Sequence, residues 1–135
     1  MQRKISIAGG TALLILFDQI SKIFVLKFFS SSASLNSYGV FGAKFGFLDY
    51  RLIAFLGLVL VAIFYFSQKN KIYLNPIILI AAGGLSNLID RFVRGGVVDF
   101  IDLKFWPSFN FADAMVTIGA IWLIYLLVFK KEFRT

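Results

Sequence analysis

The stretch IYLNPIILIAAGGLSNLI, residues 72–89, carries no charged residue along its whole length. A bilayer core of ~30 Å needs roughly 20 helical residues, with a range of ~17–25. Its one proline, Pro76, lies near the start, where a helix best tolerates a missing N–H. Working outward, three more apolar runs frame it, at residues 5–26, 48–66 and 112–129. The first is interrupted by Asp18, Gln19 and Lys22, and the second reaches spanning length only with the aromatic flank at 45–50. Four membrane-spanning helices are therefore expected. The first run is too long for the apolar part of a signal peptide and no A-x-A-like cleavage site follows it, so a retained span is expected there.

The composition of the 135 residues agrees. Hydrophobic residues make up 59% and charged residues 16%, against ~45–50% and ~25% in soluble domains. With a mean hydropathy of +0.84, a water-soluble globule would expose far too much apolar surface, and disorder is excluded by 24 aromatic residues that cannot stay solvated. No cysteine is present, which removes disulfides, thiolate metal sites and a Cys nucleophile. No histidine is present either, which removes Ser–His–Asp chemistry and the HExxH zinc site. Any catalysis must use carboxylates, Lys, Ser, Tyr or Asn. The net charge of +7 comes from short basic groups at the ends of apolar runs and forms no stripe, so no nucleic-acid partner is expected.

Four spans put both termini on one side. Arg3, Lys4, Lys69, Lys71, Lys130, Lys131 and Arg134 crowd the short flanks there, while an equal number of bases is spread over two long loops on the other side. Dense basic flanks hold orientation, so both termini are expected in the cytoplasm. Six of the seven acids, Asp18, Asp49, Asp90, Asp99, Asp102 and Asp113, fall on or near the outer side, which is where any chemistry is expected. The first outer loop begins Ser-rich (SSSASLNS) and turns glycine- and aromatic-rich; the second contains VVDFIDLKF, whose partial alternation suggests an extended segment lying along the interface.

Ionisable residues inside spans cost ~2.5–3.5 kcal/mol at mid-depth and so mark candidate sites. Asp18 and Lys22 stand four apart in the favourable order for a helical ion pair, which would hold span one against the bundle. In SNLIDR, spacings of three and four put Asn87 on the same face as Asp90 and Arg91. Arg91 has two open readings, bracing a carboxylate or anion, or snorkelling to the interface. Asp99, in GGVVDFI, and Asp113, in FNFADAMV, sit in apolar surroundings that raise a carboxyl pKa, and a second carboxylate nearby raises one of the pair further. Two such acids sharing a proton form the aspartic-protease arrangement. Asp113 alone reads equally as a helix N-terminal acid favoured by the macrodipole. A spacing of fourteen residues does not by itself pair them.

In order along the chain, DQISK at 18–22, GGLSNLIDR at 83–91, GGVVDFI at 95–101 and FNFADAMVTIG at 109–119 resemble motifs of the lipoprotein signal peptidase (signal peptidase II) family, bacterial membrane aspartic peptidases. The family's N-x-G-x-A-F appears as residues 36–41, where Asn36 and Phe41 match but Tyr38 replaces a glycine; Ser86 replaces the glycine before Asn87. The resemblance implies one all-α membrane peptidase domain over residues 1–135, with four transmembrane helices, a small outer-side β-cradle and an interfacial amphipathic segment. The first outer loop would supply much of these extras. It implies Asp99 and Asp113 as catalytic, with Asn36, Asn87, Arg91, Asn110, Asp18 and Lys22 binding substrate or supporting the site. It implies a diacylglyceryl prolipoprotein substrate cut before its lipidated cysteine, contact with membrane lipid, inhibition by globomycin, and no metal or cofactor. A monomer in the bacterial inner membrane is expected, with its active site at the outer face. The competing readings are a four-span transporter or channel-like protein, whose charges would be spread through the membrane depth, and a non-catalytic scaffold.

Overall fold

The structure is a computed structural model that describes residues 2–38 and 49–129. Helix α1 covers Gln2–Phe28, α2 Tyr50–Ser67, α3 Leu74–Val93 and α4 Phe111–Phe129, with short strands β1 at Ser34–Asn36 and β2 at Val97–Asp99. All four helices contain segments long and apolar enough to cross a membrane. The expected amphipathic segment and Phe41 lie outside the described residues.

Several helix boundaries have a local cause. The Asp49 carboxylate caps α2 by accepting from the Arg51 N–H at 2.8 Å, and 18 residues then span about 27 Å, close to the bilayer core. Asn70 caps the 3₁₀ turn Lys71–Tyr73 that leads into α3. Pro76 falls in the first turn of α3, where the N–H has no helical acceptor to lose. The third apolar run was expected to end at residue 89, but α3 continues to Val93 and carries Asp90 and Arg91 on its last turns. Gly95, at φ +77°, then turns the chain into β2.

Helix α3 is the centre of the bundle, packing on α4 most closely and on α1 and α2 through other faces. Two glycines permit the close approach to α4. A Cβ on Gly83 would collide with the Ala112 carbonyl oxygen, and one on Gly119 would lie 2.8 Å from the Pro76 carbonyl oxygen. One core cluster, at the end away from the strands, joins Tyr73, Ile77 and Leu126 with Val61, Phe64 and Tyr65 of α2. The other, nearer the strands, joins Ala82, Ala112 and Met115 with Leu14, Ile15 and Leu79, and contains nothing from α2.

Strands β1 and β2 pair antiparallel, with Ser34 opposite Asp99 and Asn36 opposite Val97. The connections after α1 and after α3 therefore each contribute one strand of this small sheet. The VVD segment is extended as its alternation suggests, but it is buried rather than lying along an interface: Val97, Val98 and Asp99 are all nearly inaccessible. Elsewhere the surface is strongly apolar. Helix α2 has no buried residue, and Leu60, Ile63 and Phe66 stand open on it. In water such a surface would aggregate; in a bilayer it is the lipid-facing surface of a multi-pass protein.

Candidate active site

Among the described residues seven polar or charged ones are buried, and all lie at the strand end of the bundle: Asp18, Lys22, Ser86, Asn87, Asp90, Asp99 and Asn110. Burial on this scale is tolerable only if each group is satisfied, and no buried side-chain polar atom among the described residues lacks a partner.

The network starts on α1. Lys22 Nζ lies 2.6 Å from Asp18 Oδ2 and 2.7 Å from Asp90 Oδ2, and donates to Asn87 Oδ1 at 3.0 Å. Asp18 therefore does more than neutralise its neighbour. Its Oδ1 accepts from the Ala112 backbone N–H at 2.8 Å, satisfying an amide in the first turn of α4. Its Oδ2 accepts from the Ser86 hydroxyl at 2.7 Å. Ser86 thus works as a donor as well as a small packing residue. Asp90 is held by Lys22, Gln19, the Val98 N–H and Arg94.

Asn110 and Asp113 cap α4 reciprocally. The Asp113 N–H donates to Asn110 Oδ1 at 2.8 Å, and the Asn110 N–H donates to Asp113 Oδ2 at 3.2 Å. This is the geometry of a capping box, with Asn and Asp in place of the usual Ser and Glu. The remaining Asn110 amide group reaches sideways, donating to Asp99 Oδ1 at 2.9 Å and to Asn87 Oδ1 at 3.1 Å. Asn87 in turn donates to Asp113 Oδ1 at 2.8 Å. Asp99 Oδ2 accepts from Asn36 of β1 at 3.3 Å. One asparagine therefore ties the end of β2 to the start of α4 and sets the two carboxylates side by side. Phe111 braces the same junction, its ring 5.1 Å from that of Phe17 and 5.4 Å from that of Phe100.

Burial, and after it the nearby charge of Asp113, push the Asp99 carboxyl up to about 6 from 3.8. Both aspartates line one end of a cavity of about 930 Å³ between α2, α3 and α4. A carboxyl poised to keep its proton, beside a second carboxyl, can share general acid and base work on a water molecule. Among the described residues no group of His, Cys, Asp and Glu is placed to hold a metal ion.

All eight residues singled out from the sequence gather at this end. Asp18, Lys22, Asn36, Asn87, Asn110, Asp99 and Asp113 belong to one hydrogen-bonded network. Arg91 lines the cavity, but its hydrogen bond is a long one, 3.4 Å to the Asn87 carbonyl oxygen. The carboxylate brace considered for Arg91 is supplied to Asp90 by Arg94 instead. Gln19 and Arg94 carry no site role in the sequence reading, and Ser86 appears there only as a small residue in place of a glycine. Their signal was spacing, since Arg94 stands four residues after Asp90 and Gln19 lies beside Asp18.

Comparison with known proteins gives a consistent result. A family described as signal peptidase (SPase) II matches residues 11–129. The lipoprotein signal peptidase of Caldanaerobacter subterraneus subsp. tengcongensis is 34% identical, across 91% of this chain and 96% of that protein. That of Borreliella afzelii is 37% identical, across 90% of each. Two solved bacterial membrane enzymes share the fold. One gives a TM-score of 0.76 at 26% identity, covering 100% of this chain and 92% of the other. The second gives 0.79 at 25% identity, covering 97% and 96%.

Proposed function

Because this chain belongs to the signal peptidase II family, membrane proteases that remove signal peptides from lipoproteins, we propose that Asp99 and Asp113 are its catalytic dyad and that its substrate is a diacylglyceryl-modified prolipoprotein. The observation that carries the proposal is the meeting of two carboxylates, bridged by Asn110, at one end of an apolar cavity. In the proposed reaction the ionised carboxylate takes a proton from water, and the water oxygen attacks the scissile carbonyl carbon. The protonated carboxyl hydrogen-bonds the carbonyl oxygen as it gains charge. The C–N bond then breaks as a proton passes to the departing amine. The two acids titrate as a pair, and the raised Asp99 supports one proton being retained to higher pH than an ordinary aspartate would hold it.

The strand end is assigned to the outer face and both termini to the cytoplasm, on the basic flanks and the sorting of the acids. Hydrolysis then occurs where water can reach the dyad, and the lipid on the cysteine holds the peptide bond at that depth. Each buried CH₂ of an anchor contributes ~0.8 kcal/mol, so two chains hold far more firmly than one. Globomycin is expected to inhibit.

The test is a cleavage assay on one prolipoprotein with and without its diacylglyceryl group, using wild type, Asp99→Asn and Asp113→Asn. Only the lipidated form should be cut, and each variant should lose roughly 10³-fold or more in kcat while remaining folded, with non-additive losses in the double variant. Equal cleavage of both substrate forms would leave a generic interfacial peptidase. Substantial turnover by either variant would remove that aspartate from the mechanism.

A further inference from the structure

Behind the two carboxylates lies a closed ring of side chains that the proposed reaction does not use. Lys22 Nζ joins Asp18 Oδ2, at 2.6 Å, to Asp90 Oδ2, at 2.7 Å. From Asp90 Oδ1 the ring continues to Arg94 Nη1, which also donates to Gln19 Oε1 at 2.9 Å. Gln19 Nε2 donates to the Ser86 hydroxyl oxygen at 2.9 Å, and that hydroxyl donates to Asp18 Oδ2, closing the circle. The same Nε2 lies 2.8 Å from Asp90 Oδ1 and 3.1 Å from the Ser86 carbonyl oxygen. Gln19 therefore touches both halves of the ring: Asp90 and Arg94 on one side, Ser86 on the other.

Two bonds leave the ring toward the site, and each ends one residue before a proposed catalytic aspartate. Asp90 Oδ2 accepts from the Val98 N–H at 3.1 Å, and Asp18 Oδ1 accepts from the Ala112 N–H at 2.8 Å. Val98 precedes Asp99, and Ala112 precedes Asp113. The ring is built on α1, α3 and the α3 cap residue Arg94, whereas the aspartates it serves stand on β2 and α4. How Asp18 and Asp90 are set relative to each other thus bears on how far apart the two reacting carboxyls lie. Lys22 offers them a compact charge about which either carboxylate can turn. The planar Gln19 amide, with an acceptor at one corner and donors at the other, adds directed bonds that stop the turning. Reacting groups need to be held to within about 0.5 Å of their working geometry. We propose that Gln19 is a positioning residue for the dyad, acting through Asp90 and Ser86 to fix the spacing of Asp99 and Asp113. The proposal rests on the function proposed above.

Gln19 is half-buried at the rim of the network, while Asp18, Lys22, Ser86 and Asp90 are inaccessible. Gln19→Met keeps the length of the side chain and removes its directed bonds, so it loosens the ring without emptying its core. Its effect should reach Asp99, which faces the charges of Asp113 on α4, Lys22 on α1 and Arg91 on α3, and accepts from Asn36 and Asn110. Burial and the Asp113 charge are the two largest influences on the Asp99 carboxyl, and both raise it. Both weaken if β2 moves away from α4.

The experiment uses the purified full-length chain and compares wild type with Gln19→Met. It reads cleavage of a diacylglyceryl prolipoprotein and, separately, the pH titration of the Asp99 carboxyl carbon by NMR. Gln19→Met should lower kcat roughly tenfold or more while changing KM by less than about threefold. The Asp99 midpoint should fall toward 3.8. Arg94→Met should reproduce both effects and Arg94→Lys, which restores the cation, should recover part of each; this pair carries the comparison if Gln19→Met does not fold. A kcat within about twofold of wild type, or a loss of kcat with an unmoved Asp99 midpoint, would overturn the proposal. If wild type does not cleave the lipidated prolipoprotein, the proposed function fails instead, and the Asp99 midpoint alone still decides whether Gln19 positions that carboxyl.

Discussion

At the residue scale, the site turns on how few groups hold two carboxylates together. Asp99 is raised to about 6 by burial first and by the charge of Asp113 second. Between 3.8 and about 6 the folded chain therefore binds more protons at this position than the unfolded chain does. The group's stabilising contribution is fully present below 3.8 and is lost as pH rises through about 6. Replacing Asp113 by Asn removes the second cause and leaves the first. The Asp99 midpoint should fall but stay above 3.8, as read from the pH titration of its carboxyl carbon by NMR; an unchanged midpoint would mean that the two acids do not couple electrostatically. The sequence made both aspartates legible through their apolar neighbours and their motifs. It did not show what joins them, because Asn110 acts through a capping geometry that exists only once α4 has formed.

At the element scale, α3 and α4 register the site. Gly83 lies against Ala112, next in sequence to Asp113, and Gly119 lies against Pro76 near the other end of the same interface. Neither contact can yield cheaply, because the atom met in each case is a backbone oxygen. Gly83→Ala and Gly119→Ala should each destabilise the protein by about 1–3 kcal/mol in thermal or denaturant unfolding. Activity should separate them. Gly83→Ala displaces the start of α4 and with it Asp113, so it should lose much more cleavage than Gly119→Ala; equal losses would show that the interface moves as one rigid unit. The four helices were readable because each is an apolar run of spanning length bounded by polar residues. The burial of β2 was not, since Val97 and Val98 would suit an interface or a core equally well and only the pairing with β1 decides between them. The end of α3 was set too early for a related reason: Asp90 reads as the start of a loop until its partners Lys22 and Arg94 are in place.

At the scale of the whole molecule, the charges of the ion-pair network balance only as a set. Asp18, Lys22, Asp90 and Arg94 sum to zero. Lys22→Met leaves two carboxylates against one cation and should cost about 3–5 kcal/mol, the range for breaking a buried pair. Adding Asp18→Asn restores a sum of zero and keeps an oxygen for the Ala112 N–H, so the double variant should be more stable than Lys22→Met alone in the same unfolding assay. A double variant less stable than that single would show that Asp18 acts chiefly through Ala112 and Ser86 rather than through Lys22. The same arrangement has a consequence in time. The α4 amide that Asp18 caps lies 94 residues downstream, so at ~5–20 residues per second a ribosome makes it roughly 5–20 s after Asp18 itself. Asp90, the second partner of Lys22, is also made long after α1. Through that interval Asp18 and Lys22, one turn apart on the same helix, have each other as the partner already synthesised. The ion pair that ends as one link in the finished network is also what lets the first helix wait in the membrane for the last.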